Sequence, residues 1–136
     1  MSELVSGTIK NFEDAHLRAL ETEESMVSRL ANGDPNLTVQ TVMSAVVSTD
    51  NARMAMWEGK ANTLGEQITP ELKNSFEKTK NLLTQIMSGD MEATKQLVGD
   101  RVQIVTSILG GDINDKDRDY YSTLISGYNK LLELVN

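Results

Sequence analysis

His16 is the only histidine of the chain and the first residue that could take part in chemistry. Glu13 precedes it at the Glu-x-x-His spacing, which places a carboxylate and an imidazole on one face of a helix. Carboxylate-bridged di-iron bundles use this spacing twice, with further glutamates from two other helices. A second histidine would have to come from another copy of the chain, with Glu23 or Glu24 nearby. A metal-binding helical bundle that uses Glu13 and His16 is therefore an alternative hypothesis, and we predict no metal or cofactor.

The acidic segment at residues 112–119 is the second candidate for ion binding. Counted from Asp112 as the first ligand of an EF-hand loop, Lys116 falls at position 5, Asp117 replaces the glycine of position 6, and Thr123 replaces the glutamate of position 12. These mismatches argue against a calcium loop. Acids in the first turn of a helix complement the positive end of its dipole. We interpret the segment as a helix-capping turn and leave weak cation binding open.

Motifs of known catalytic chemistry are missing from the sequence. Cysteine is absent, which removes thiolate nucleophiles, cysteine-based zinc sites and iron–sulfur clusters. The sequence has no Gly-Lys-Ser/Thr phosphate loop, no dinucleotide-binding glycine pattern, no Gly-x-Ser-x-Gly elbow and no His-Glu-x-x-His helix. With one histidine, few routes to nucleophilic catalysis remain. We therefore predict that the protein is not an enzyme.

The charge balance restricts the classes of partner. The 136 residues include 20 acids and 13 bases, for a net charge of −7. Such a field repels nucleic acid, so we expect no nucleic-acid partner. No apolar run approaches the ~20 residues of a membrane span, and the N-terminus lacks the pattern of a cleavable signal peptide. We expect a cytoplasmic protein or one assembled into a particle, with leaderless secretion left open.

Apolar residues at helical spacing divide the chain into five segments. The predicted helices cover residues 3–31, 37–67, 70–87, 91–109 and 115–135, joined by short Gly-Asp and Pro turns in one all-α bundle domain of residues 1–136. Glycine can close a helix and aspartate can cap the next one, which suits the Gly-Asp steps at Gly33, Gly89 and Gly111. We expect the step at Gly99 to bend or divide the fourth helix, where residues 102–105 would also suit a strand.

Two short segments resemble known families. Trp57-Glu58-Gly59 resembles the Trp-x-Gly turn of the small, acidic, cysteine-free secreted helical-hairpin family, although no tyrosine here is followed four residues later by an acid. This resemblance implies a turn between two helices at residues 57–59. Residues 33–40, which lead into a helix rich in Ser, Met and Ala, are similar to the C-terminal helix of type III secretion and flagellar inner-rod proteins. That resemblance implies a helical subunit that assembles.

Large side chains in two helices form the candidate contact surface. Met43, Met54 and Trp57 belong to the second helix, and Tyr121 and Tyr128 belong to the last. Methionine and aromatic residues are enriched in the cores of protein interfaces. We therefore predict a non-enzymatic protein–protein interaction module, a homo-oligomer or a structural subunit or assembly factor of a phage, virion, secretion-rod or similar complex. The competing interpretation is that all these residues belong to an ordinary core.

An acidic inhibitor or adaptor that binds a basic target protein is the remaining alternative. It would need acids gathered on one face of the molecule. The candidates are Glu21, Glu23 and Glu24 in the first helix and the acids of residues 112–119.

Overall fold

The computed structural model describes residues 2–135, with side chains described from Ser6 to Val135. This range forms five α-helices and no strand: α1 (Ser2–Ala31), α2 (Val39–Thr63), α3 (Pro70–Met87), α4 (Met91–Leu109) and α5 (Asp115–Leu134). The predicted all-α bundle is confirmed. The strand considered for residues 102–105 is wrong, because those residues lie within α4. In the described range, no helix is both long and apolar enough to cross a membrane.

Helix α2 ends earlier than predicted. We expected it to reach residue 67, but it stops at Thr63 because Gly65 takes the left-handed conformation, with φ of +70°. Helix α3 begins as predicted: the Thr69 hydroxyl accepts a hydrogen bond from the Leu72 N–H, and Pro70 occupies the first turn.

The Gly-Asp steps have different roles. Gly89 closes α3 with φ of +90°, and Asp90 caps α4 as predicted by accepting from the N–H groups of Glu92 and Ala93. Asp34 does not cap α2: its carboxylate accepts from the Asn36 N–H within the turn, and the α2 cap is a threonine.

The other two steps do not start helices. Gly99 lies inside α4, which runs undivided from Met91 to Leu109. The cap of α5 is Asn114, which accepts from the Asp117 N–H at 2.8 Å, rather than Asp112. Acids occupy the first turn of α5, so the interpretation of residues 112–119 as a helix-capping turn is confirmed.

All five helices contribute to one buried apolar cluster, which includes Val27, Val46, Phe76, Val98 and Leu124. Helix α1 packs against α2 and α5, α4 packs against α5, and α3 packs against α2 and α4.

Two glycines let α1 approach its neighbours closely. A Cβ atom on Gly127 of α5 would lie 2.6 Å from Val27 Cγ1, and one on Gly59 of α2 would lie 2.5 Å from the Phe12 ring. Both distances are far below van der Waals contact: Gly127 excludes a side chain because the clash includes the Val27 backbone, whereas a side chain at position 59 would require the Phe12 ring to move. Gly59 is therefore a helix-contact residue. The turn implied at residues 57–59 is wrong, because all three residues lie within α2.

Candidate functional site

The predicted contact residues divide between the core and the surface. Met43, Met54 and Tyr128 are buried, so the core interpretation describes these three. Trp57 is 46% exposed and Tyr121 is half-buried. A contact surface at these last two residues stays a prediction.

Trp57 and Tyr121 lie in different surroundings. The Lys60 ammonium lies 5.4 Å from the centroid of the Trp57 ring, within the range of a cation–π contact. Tyr121 packs edge-on against Tyr120, with ring centroids 5.3 Å apart, and the Tyr120 hydroxyl donates to Glu24 at 2.7 Å. Among the described residues, no ring contact joins Trp57 to Tyr121, so they do not form one aromatic cluster.

Two of the exposed large apolar side chains flank the turn between α3 and α4. Met87 is 69% exposed at the end of α3, and Met91 is 53% exposed at the start of α4. They line a groove of about 340 Å³, whose wall is completed by α2 residues that include Val39 and the buried Met43. We call these residues the methionine groove. It joins one predicted contact residue to two methionines that were not predicted.

Local structure holds the methionine groove in place. The Asp90 N–H donates to the Gln85 carbonyl at 3.0 Å, which fixes the turn between the helices. The buried Thr94 hydroxyl donates back to the Asp90 carbonyl at 3.2 Å. The two methionines therefore project from a turn with a defined backbone. The signal in the sequence was a Met on each side of the Ser-Gly-Asp turn. Apolar residues at the ends of two helices, where the helical periodicity stops, do not point into the core.

A network of charged and polar side chains lies inside the bundle. Glu23 of α1 is completely buried and accepts from Arg101 of α4, at 3.0 Å from Nε and 3.1 Å from Nη2. The same Nη2 donates to Asp50 of α2 at 3.0 Å, and the Tyr128 hydroxyl of α5 donates to Glu23. These four residues, which we call the interior network, tie four helices together.

The electrostatics of the interior network follow from burial and pairing. Burial alone would lower the pKa of Arg101, but hydrogen bonds and charge from Glu23 and Asp50 raise it above its ordinary value. Burial and the Glu23 carboxylate raise the pKa of Tyr128. Asp50 keeps one buried oxygen, Oδ2, without a hydrogen-bond partner. The network is thus a fixed, charged interior with one unsatisfied acceptor.

Sequence reasoning missed the interior network, although a signal was present. Asp50 falls on the same helical face as Met43, Val46, Val47 and Met54, where an apolar residue is expected. Glu23 and Arg101 likewise interrupt the apolar faces of their helices, four residues before Val27 and four after Leu97. Charged residues of opposite sign at core positions indicate a buried ion pair.

Basic residues affect both members of the pair considered for metal binding. The Lys60 ammonium donates to Glu13 at 3.3 Å. Burial, and next the Arg53 charge, lower the pKa of His16 below its ordinary value. In residues 6–135, no three His, Asp or Glu side chains come together as metal ligands. The acids of α1 also do not form one face, because Glu23 is buried while Glu21 is exposed.

Comparisons of the chain with models of known protein families, with curated proteins and with solved structures find no match. A function for this chain must therefore be argued from the surfaces and cavities described above.

Proposed function

We propose that this chain is a non-enzymatic, α-helical protein–protein interaction module, a structural subunit or assembly factor that pairs with a second copy of itself. The observation that carries the proposal is the methionine groove, with Met87 and Met91 among the exposed large apolar residues of the structure. Methionine side chains are flexible and polarizable, and they recur at adaptable binding surfaces. Met87 and Met91 lie beside a groove, so the same surface contains both protruding side chains and a depression that could accept them.

A second copy is the occupant that this geometry favours. A two-fold axis brings the same surface patch of each copy into contact, so the patch must complement itself. Here the protruding Met87 of one copy would enter the space between Met43 and Met91 of the other. The groove could therefore form a symmetric dimer contact without residues from any other part of the molecule.

The apolar area at the groove predicts a weak association. Full burial of a methionine contributes roughly 1.5–3 kcal/mol, and Met87 and Met91 already bury part of their surface. Association costs at least about 4 kcal/mol in lost translational and rotational freedom. Four methionines in a symmetric pair therefore support a concentration-dependent dimer that further contacts in a larger assembly would reinforce.

The mass of the full chain in solution tests this proposal. We expect the weight-average mass from sedimentation equilibrium to rise with concentration, and the double variant Met87→Ser/Met91→Ser to stay monomeric. The matched control is Leu64→Ser/Leu134→Ser, which removes two similarly exposed leucines outside the groove and leaves association intact. A monomer at every concentration up to about 1 mM, where binding is worth about 4 kcal/mol, would contradict self-association.

The response to salt separates this proposal from the acidic inhibitor. Two copies with a net charge of −7 repel each other, and salt screens that repulsion, since the Debye length is about 10 Å at 0.1 M. We therefore expect added salt to strengthen self-association. An acidic inhibitor would instead remain monomeric, and its binding to a basic probe protein would weaken with salt.

Trp57→Ala tests whether the predicted contact at the tryptophan belongs to the same surface. Because Trp57 is 46% exposed, its loss should lower stability far less than the 3–5 kcal/mol that is typical of a buried aromatic residue. Loss of association in this variant with little loss of stability would extend the interface to the far end of α2. Unchanged association would confine the interface to the methionine groove.

A further inference from the structure

A second cavity lies between α1, α2, α3 and α4, and Asp50 and Arg101 of the interior network form part of its wall. Its volume is about 320 Å³, at the lower end of the range for small-molecule sites. Hydrocarbon side chains form one part of the wall, namely Leu20, Leu82, Leu97 and Ile104. The rest of the wall is polar and charged. The cavity therefore offers an apolar end and a charged end to one small ligand.

The positive group of the charged end is Arg53. Its nearest carboxylate oxygen belongs to Asp50, at 3.7 Å from Nε, which is beyond hydrogen-bond distance. The guanidinium otherwise stands over the Phe76 ring, 5.9 Å from the centroid. Arg53 thus faces the cavity with N–H donors that no described residue accepts. Such a fork of donors matches the two oxygens of a carboxylate.

The negative group of the charged end is Asp100. Its side chain is exposed at the cavity, and no hydrogen bond or ion pair joins it to any residue in the described range. Asp100 and Arg53 do not pair with each other, so a gap separates the two charges. A ligand with both an ammonium and a carboxylate could span that gap.

The interior network adds charges of both signs to the wall of the cavity. Arg101 and Asp50 line the cavity, and Asp50 has its buried, unpartnered Oδ2. A simple anion would meet Asp50 and Asp100, and a simple cation would meet Arg53 and Arg101, so repulsion opposes either alone. A small ligand that carries one positive and one negative charge could pair each charge with a residue of opposite sign.

We infer that this cavity binds a small zwitterion with an apolar side chain, of the chemical class of the aliphatic α-amino acids. The ligand carboxylate binds Arg53, its ammonium binds Asp100, and its hydrocarbon chain packs on Leu82, Leu97 and Ile104. His16 also lines the cavity. The inference does not depend on self-association through the methionine groove.

Ligand-observed and protein-observed NMR on the isotope-labelled full chain tests this site without any substitution. The probes are leucine, isocaproate, which lacks the ammonium, and isoamylamine, which lacks the carboxylate. We expect leucine to give saturable shifts at the amides of residues that line the cavity, and each analogue to bind at least about ten-fold more weakly. No saturable shift with leucine, or equal binding of isocaproate, would overturn the inference.

Two variants assign the charges. Asp100→Asn removes an exposed carboxylate without a partner, so folding is preserved, and we expect at least about ten-fold weaker leucine binding with isocaproate binding unchanged or tighter. Arg53→Gln should weaken leucine and isocaproate alike. Asp112→Asn, an exposed acid in the turn before α5, is the matched control and should leave leucine binding unchanged. Leucine binding that survives Asp100→Asn at full affinity would contradict the assignment.

The two proposals fail independently. Met87→Ser/Met91→Ser changes the mass in solution and leaves the leucine shifts as they are. Asp100→Asn changes the leucine shifts and leaves the mass as it is.

Discussion

Arg101 of α4 donates Nε and Nη2 to the two carboxylate oxygens of Glu23 of α1, 78 residues away along the chain. This bidentate pairing fixes the direction of both side chains as well as their distance. Glu23 is completely buried, and Arg101 retains only 12% of its side-chain exposure. A long-range ion pair therefore sits where other helical bundles place apolar side chains.

Removing Arg101 should destabilise the fold strongly. Arg101→Met leaves Glu23 and Asp50 as buried charges without their common partner, and such changes typically cost about 3–5 kcal/mol. The free energy of unfolding from urea denaturation measures the effect. The control Arg18→Met changes an exposed arginine and should stay within about 0.5 kcal/mol of the parent. Equal stability of the two variants would contradict the buried pairing.

The Tyr128 hydroxyl should contribute stability that is lost in alkali. Tyr128→Phe removes a buried hydrogen bond to the Glu23 carboxylate, worth about 1.5–3 kcal/mol, whereas Tyr120→Phe removes an exposed one and should cost less. Burial and Glu23 raise the pKa of Tyr128, so its contribution is complete below the unfolded value of about 10 and falls as pH rises toward the folded value. Above about pH 10, the parent should lose stability more steeply than Tyr128→Phe.

His16 should make stability fall in mild acid. Burial and Arg53 lower its pKa below the ordinary 6.5, so the unfolded chain takes up the proton first as pH falls. The contribution of neutral His16 is therefore complete above pH 6.5 and decreases as pH drops toward the folded value. NMR titration of the single histidine should give a pKa below 6.5, and His16→Gln should flatten the stability profile between about pH 7 and about pH 5. A pKa at or above the ordinary value would contradict the burial described.

Two helix-interior glycines should respond in opposite directions to the same substitution. Gly127→Ala places a methyl group against the Val27 backbone and 2.6 Å from Val27 Cγ1, so overpacking should cost about 1–3 kcal/mol or more. Gly99→Ala meets no atom within 4 Å and should stabilise α4 by roughly 0.5–1 kcal/mol. Urea denaturation of both variants checks the pair. A loss of stability in Gly99→Ala as large as that in Gly127→Ala would contradict the contact.

Local chemistry allowed the two ends of α3 and the start of α4 to be predicted. The capping interactions of Thr69-Pro70 and Gly89-Asp90 involve only neighbouring residues of the chain, so they could be predicted without the tertiary structure. The apolar periodicity did not predict the end of α2. Ile68 continues the apolar pattern beyond the helix, because it packs against the core from the following loop. The core requires apolar residues from loops as well as from helices.

The candidate site was less predictable than the fold. Helical spacing shows which residues share a face, but it does not show which face a neighbouring helix covers. Met54 and Trp57 are three residues apart in α2, yet one is buried and the other is exposed. The interior network depends on residues from four helices, so it exists only when the tertiary structure brings them together.

The interior network passes through α1, α2, α4 and α5 and omits α3. Helix α3 is held by apolar side chains such as Phe76 and Leu83, and its ion pair to another helix in the described range is the exposed contact of Lys80 with Glu58. Because none of the hydrogen bonds of the interior network reaches α3, we expect α3 to separate more readily than the four helices that the network joins. Amide hydrogen exchange should therefore be fastest, among the five helices, along α3. Since α3 also borders the methionine groove and the cavity lined by Arg53 and Asp100, its opening would change access to both.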